Sequence, residues 1–273
     1  MTDAAEIEPG LYDIPAELYH SDPVPGGSLS ASGAKLLADC PARFKHQLDH
    51  PQPYKPAFEF GTAAHTVVLG DGPELVVVEG DRWDTNEIKA RVAKLRAAGK
   101  VPLKPSDYQR ICDMAEVLAA DPEAAEILTP GSGVAEQSIF WPDGPIWWRS
   151  RFDWLRPDLI ADYKTTQSVH PDKLSRTVHE LGYVIQEHIY RRGAVELGLI
   201  PDGASFKFLF QEKQPPYLVQ VAELDPVARY AGLRLTHLAA GRYLYGRETG
   251  HWPAYSETST VIGLPPYIER QYA

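Results

Sequence analysis

The 273-residue chain is 44% hydrophobic and 23% charged, an ordinary globular balance with enough apolar material for a sizeable core in one large domain. Its net charge of −10 dilutes affinity for phosphate backbones, so a nucleic-acid partner would need a local basic groove. No apolar run reaches the roughly 20 residues that span a bilayer, and the acidic start (Asp3, Glu6, Glu8) lacks the regions of a signal peptide, which predicts a cytoplasmic protein with no membrane partner.

After a Pro-rich opening, Gly26-Gly27 leads into Ser28 to Ser32, and Leu36, Leu37, Cys40, Phe44 and Leu48 then recur at helical spacing. This predicts an amphipathic helix, with Pro41 as a candidate interruption. Residues 51–57 read as a Pro-rich linker, Phe60 to Leu69 as a helix carrying His65, and Val76 to Val78 as a short strand. Asp84 with Glu87, and Ser106 with Gln109, fit capping boxes and predict helices over about 84–98 and 106–120. Asp121-Pro122 fits an N-cap followed by proline in the first turn, opening a short helix that Pro130 and Gly131 end.

The period then changes from 3.6 to 2. Ala135 to Trp141, Trp147 to Leu155 and Leu159 to Thr165 read as strands, the first two a hairpin through Pro142-Asp143-Gly144. Helices follow from Pro171 and over Tyr183 to Leu197, then strands Ser205 to Gln211 and Tyr217 to Ala222, then a helix from about Pro226 to Tyr245. This order predicts an α/β (α+β) fold with a central mixed sheet flanked by helices. Residues 1–25 read as an N-terminal extension, 26–250 as the domain and 251–273 as a C-terminal tail.

The stretch with most chemistry is Arg151-Phe-Asp153, followed by Asp162-Tyr-Lys164. Period two puts Asp162 and Lys164 on one strand face, and the neighbouring strand brings Asp153 beside them. Two carboxylates that hold a hard cation such as Mg²⁺, with Mn²⁺ able to substitute, suit phosphodiester hydrolysis. Lys164 would orient the attacking water, or take its proton if desolvation lowers the amine's pKa. A bare D-x-K is otherwise an edge-strand ion pair.

Further motifs make the sequence resemble the RecB-like branch of PD-(D/E)XK nucleases, and within it the RecE (exonuclease VIII) group of phages and prophages. They are Ser30-Ala-Ser32, Cys40-Pro-Ala-Arg-Phe44, Gly61-Thr-Ala-Ala-His65, Glu136, Asp153, Asp162-Tyr-Lys164, and the Gln186 to Tyr190 helix. The resemblance spans about residues 26 to 245; each motif alone is weak, and the order and spacing carry it. It implies a PD-(D/E)XK restriction-endonuclease-like core, with His65, Asp153, Asp162 and the Tyr163 carbonyl as metal ligands. Asp153, Asp162 and Lys164 would be catalytic, with Gln186 and Tyr190 as active-site or DNA contacts. Glu136 would hold a second metal or the attacking water, or be an exposed strand glutamate. His65 alone would read as a packed helix histidine, and Tyr190 as a core aromatic.

Arg149, Arg151, Arg191 and Arg192 are candidates for a phosphate-binding lining, and Ser30, Ser32, Lys35 and Arg43 for a phosphate site at a helix start, where Ser-x-Ser is alternatively a cap. With only Cys40 and Cys112, the chain lacks the C-terminal cysteine trio of cluster-bearing relatives, so no iron–sulfur cluster is expected. No Walker-type loop is present, so no nucleotide cofactor is expected either. The resemblance implies a 5′-to-3′ exonuclease acting at double-stranded DNA ends in recombination, beside a single-strand annealing protein and as a homo-oligomeric ring. The rival readings are a non-catalytic DNA-end or partner-binding module and a structure-specific endonuclease.

Overall fold

A computed structural model describes residues 7–50, 59–80 and 82–272; the linker read over 51–57 lies outside them. The chain runs β1 (Gly10–Tyr12), α1 (Ala16–His20), β2 (Leu29–Ser30), α2 (Ala31–Asp39), α3 (Pro41–Asp49), α4 (Glu59–Leu69), β3 (Leu75–Val77), α5 (Asn86–Ala97), β4 (Val101–Leu103), α6 (Pro105–Ala120) and α7 (Pro122–Ile127). There follow β5 (Val134–Asp143), β6 (Ile146–Leu155), β7 (Leu159–Thr166), α8 (Pro171–Glu180), α9 (Tyr183–Glu196), β8 (Ser205–Glu212), β9 (Val219–Ala222), α10 (Pro226–Thr249) and α11 (Pro266–Glu269).

Strands β1-β5-β6-β7-β8-β9 form the main sheet, with β2 added parallel to β6. β7 and β8 are parallel and the remaining neighbours antiparallel, so the sheet is mixed, as the order of elements predicts. One face is covered by α2, α9 and α10, whose apolar sides meet Ile139, Trp141, Trp148, Phe152, Phe206 and Phe208. The other is covered by α4, α6 and α7, packed on Leu159, Ala161, Tyr163 and Leu209. Burying such layers on both faces is the main stabilisation, at about 25 cal/mol per Å² of apolar surface removed from water.

Glycines set two close approaches. A Cβ on Gly232 of α10 would lie 2.1 Å from the Val184 carbonyl oxygen of α9, and one on Gly193 of α9 would strike Trp141 and Ile139. These two positions let α9 lie tight between the sheet and α10. Residues read as an N-terminal extension supply the edge strand β1 and the small cluster of Tyr19 and Val24 over Phe140. Among the described residues no helix is long and apolar enough to cross a membrane.

Several boundaries differ from the sequence reading. The helix over Leu36 to Leu48 is two helices, because Pro41 cannot donate to the preceding turn and instead opens α3. Thr85, not Asp84, caps α5 through Ile88 N–H, and Pro105 rather than Ser106 opens α6. Asp121 does cap α7, accepting from the amides of Glu123 and Ala124. Cys40 is buried and Cys112 half-buried, both free thiols.

Candidate metal centre and active site

The site lies where two strand ladders fail together. In β5 and β6, Cα pairing runs from Val134↔Leu155 to Asp143↔Ile146 but skips Glu136 and Asp153, which face each other in register. Glu136 takes a left-handed φ of 53°, unusual for a strand residue with a side chain. The facing of both strands reverses here. Ala135 packs toward α4 and α6 whereas Ile139 and Trp141 pack toward α9, although period two would give all three one face. Phe152 and Trp154 divide in the same way. On the other side, β6 and β7 pair only through Trp154↔Ala161 and Leu155↔Ile160. Beyond that the Tyr163 N–H donates to Asp153 Oδ2 at 2.8 Å instead of to a strand carbonyl.

Into this gap α4 sends His65, whose Nδ1 lies 3.4 Å from Asp153 Oδ2 and whose ring meets Tyr163 edge-on at 5.2 Å. One ligand atom each from His65, Glu136 and Asp153 falls within 4.8 Å of the others. Burial and the Lys164 charge push the imidazole down to about 4, so it is neutral near pH 7, the form that ligates a metal. It also hydrogen-bonds the Tyr163 backbone, which brings that residue's main chain to the same spot. Tyr163's own side chain is structural, donating to Gln211 Oε1 at 2.6 Å in the core.

Asp162 lies just outside this trio. It is 1% exposed, ion-paired with Lys164, and its Oδ1 accepts from Gln186 Nε2 at 2.6 Å. Burial drives its carboxyl up to about 6 despite the lysine, and burial also raises Asp153 and Glu136. Three desolvated carboxylates, a neutral imidazole and a backbone oxygen make a donor set suited to a hard divalent cation. The clustered negative charge is short of counter-charge without one. Lys164 corrects the idea of an amine poised to lose its proton: Asp162 and Asp153 outweigh its desolvation and raise its pKa, so it is a fixed cation.

Gln186 therefore reaches the site from α9, while Tyr190, one turn on, belongs to the apolar layer between Phe152 at 5.6 Å and Phe206 at 6.3 Å. Tyr183, which helical spacing puts on the same stripe as Gln186, also reaches the site: Lys164 Nζ sits 5.4 Å over its ring.

Each arginine of the expected basic lining has its own protein partner. Arg149 binds Asp22 Oδ2 at 2.5 Å and the Ser28 carbonyl at 2.8 Å. Arg151 donates to Glu136 Oε2 at 2.6 Å, and to Ser138 Oγ and the Ile14 carbonyl at 2.8 Å each. Arg192 pairs with Asp143 at 2.7 Å, and Arg191 donates to the Asp202 carbonyl and lies 3.5 Å from the buried Glu187. At the start of α2, Ser30 is a cap that accepts from Gly33 N–H, and Ser32 is exposed. Lys35 lies against Gly182, and Arg43 pairs with Asp39 at 3.2 Å.

A solved structure shares this architecture. A crystal structure named "Putative exonuclease" from Eubacterium rectale superposes with TM-score 0.65 at 14% identity, covering 96% of this chain and 99% of its own. The crystal structure of the protein SSO0001 matches with TM-score 0.29 at 13% identity, over 70% of this chain and 87% of its own. No curated protein sequence matches. The family model for the PDDEXK-like domain of unknown function (DUF3799) matches residues 30–264, most of the chain, and the protein belongs to that family.

Proposed function

We propose that the protein is a divalent-metal-dependent deoxyribonuclease that hydrolyses phosphodiester bonds of duplex DNA, working 5′-to-3′ from double-strand ends in recombination. The observation that supports metal-dependent hydrolysis is the meeting of His65, Glu136 and Asp153 within 4.8 Å, beside the Asp162–Lys164 pair, at the gap in both ladders. His65, Asp153, Asp162 and the Tyr163 carbonyl would hold Mg²⁺, or Mn²⁺ in its place, with Glu136 at the open side. When bound, such a cation supplies positive charge against the scissile phosphate and lowers the pKa of an attacking water. Gln186 fixes the Asp162 carboxylate and Arg151 that of Glu136, so the donors are aimed before substrate arrives. The protonated Lys164 adds a fixed positive charge where the phosphate's negative charge develops.

The end dependence, the polarity, an annealing-protein partner and a ring-shaped oligomer are carried by the RecE-group resemblance, and a cytoplasmic setting by the absence of signal-peptide regions from the acidic start. Digestion of linear and covalently closed duplex with Mg²⁺, with EDTA and Asp162→Ala controls, tests the reading. Loss of the linear substrate alone supports it. Nicking of the closed circle would point to an endonuclease, and no cleavage of either with Mg²⁺ or Mn²⁺ would point to a binding module.

A further inference from the structure

Next to the catalytic lysine a cleft of about 330 Å³ opens at the C-terminal end of β7, between that strand, the end of α8 and the start of α9. We propose that it binds one nucleotide of the cut strand, beside the scissile phosphate, with Lys213 taking the nucleotide's phosphate. This rests on the nuclease reading above and names where its substrate lies.

The cleft and the proposed metal centre share a wall. Tyr183 lines the cleft while its ring carries Lys164 Nζ at 5.4 Å, Phe210 is the register partner of Lys164, and Thr165 and Thr166 follow that lysine on the same strand. Whatever fills the cleft is therefore a neighbour of the reacting atoms. Its size, at the lower end of the roughly 300–1,000 Å³ of small-molecule sites, admits one nucleotide and excludes a duplex.

Its chemistry is divided as a nucleotide's is. Leu181, Tyr183 and Phe210 offer an apolar and aromatic surface for a base, which stacks well on such rings. Thr165 and Thr177 bring hydroxyls to the lining, and Gln167 and Glu180 bring acceptors for base N–H groups.

Lys213 supplies the charge. Lys164, Arg149, Arg151, Arg191 and Arg192 all have carboxylate partners within 4 Å, whereas among the described residues Lys213 has no ion pair. In a chain with 37 acidic and 27 basic residues, a half-buried lysine left unpaired in a cleft is available to an anionic ligand. Its backbone is held, since Lys213 N–H donates to the Thr166 carbonyl at 3.2 Å. The adjoining turn is held too, with Val169 N–H donating to Glu212 Oε1 at 2.8 Å. The amine is thus presented from a fixed base.

The test is a calorimetric or NMR titration of the full chain with deoxyadenosine 5′-monophosphate, in wild type, Lys213→Gln and Thr177→Trp, alongside steady-state digestion of linear DNA. We expect saturable binding by wild type, weakened about tenfold in Lys213→Gln, the factor carried by one charge-assisted hydrogen bond. Thr177→Trp, which fills the cleft without touching the lysine, should abolish it. Both variants should raise KM for DNA by more than they change kcat, with Mn²⁺ binding unaltered. Nucleotide binding that is absent in wild type, or equal in all three proteins, overturns the proposal. The titration needs no cleavage, so an inactive protein with Lys213-dependent nucleotide binding would sink the nuclease reading and leave the cleft, whereas an active protein with equal binding would sink only the cleft.

Discussion

The proposed metal centre makes a prediction in melting temperature that is independent of any cleavage assay. His65, Glu136 and Asp153 converge while burial raises both carboxylates, so a divalent cation should bind the folded state and not the unfolded chain. At a free concentration a hundred times Kd, such binding stabilises by about 2.7 kcal/mol. In a chain of this size each kcal/mol moves the midpoint by about 2–4 °C, so saturating Mn²⁺ should raise Tm by roughly 5–10 °C, reversed by EDTA. Asp153→Asn removes the charge yet leaves a carbonyl to accept the Tyr163 N–H, which preserves the cap on the ladder gap. It should abolish the Mn²⁺ shift and raise the metal-free Tm, because the ionised carboxyl is the form that burial penalises. The raised carboxylates also take up protons earlier as pH falls, Asp162 near 6, so the wild-type shift should shrink between pH 7.5 and 5. Asp162→Ala should behave differently: it strands the half-buried Lys164 amine and the Gln186 amide, costing about 3–5 kcal/mol rather than stabilising. Differential scanning fluorimetry with and without Mn²⁺ reads all of these. A full Mn²⁺ shift in Asp153→Asn would refute the assignment of the centre.

Lys164→Ala should keep the Mn²⁺ shift but lose at least about 10² in rate, since a fixed cation acts on transition-state charge and not on the metal; near wild-type cutting would reduce Asp162-Tyr163-Lys164 to a strand motif. Arg151→Ala should lower stability by about 3–5 kcal/mol in urea denaturation, because it leaves Glu136 and the fully buried Ser138 without their donor. The double change Arg151→Met with Glu136→Gln should recover part of that loss, and strict additivity would show that the two residues are uncoupled. Gly232→Ala should destabilise by about 3 kcal/mol or more, through a Cβ 2.1 Å from a backbone oxygen; a circular-dichroism melt close to wild type would mean that α9 and α10 separate easily.

What could be read from the sequence divides by the range of the interactions involved. Asp121-Pro122 and the β5–β6 hairpin were legible because caps and turns are settled within a few residues. The caps of α5 and α6 were misplaced by one or two positions for a local reason too: Thr85 stands beside Asp84 and Pro105 beside Ser106, and either neighbour can start a helix. The strand β2 gave no signal, since two residues show no period and their partners, Trp148 and Arg149, lie far along the chain. Asp162 and Lys164 shared a face as period two requires, but the approach of Glu136 to Asp153 depends on a reversal of facing that no alternation rule anticipates.

The charged residues carry the same lesson into function. Arg149 looks like a phosphate contact in sequence because its partner Asp22 is 127 residues away, and Arg151 because its carboxylate partner Glu136 meets it only through strand pairing. Whether a cation is free for substrate is a tertiary fact, which is why Lys213, outside every motif, was invisible while paired arginines stood out. Glu136 closes the argument from the other direction. A left-handed backbone at a residue with a Cβ costs about 1–2 kcal/mol, and a sheet with nothing to gain there would stay regular. Here the strained residue interrupts the ladder, lets Asp153 cap Tyr163, and is itself anchored by Arg151, so the distortion that weakens the sheet is also what brings His65, Glu136 and Asp153 together.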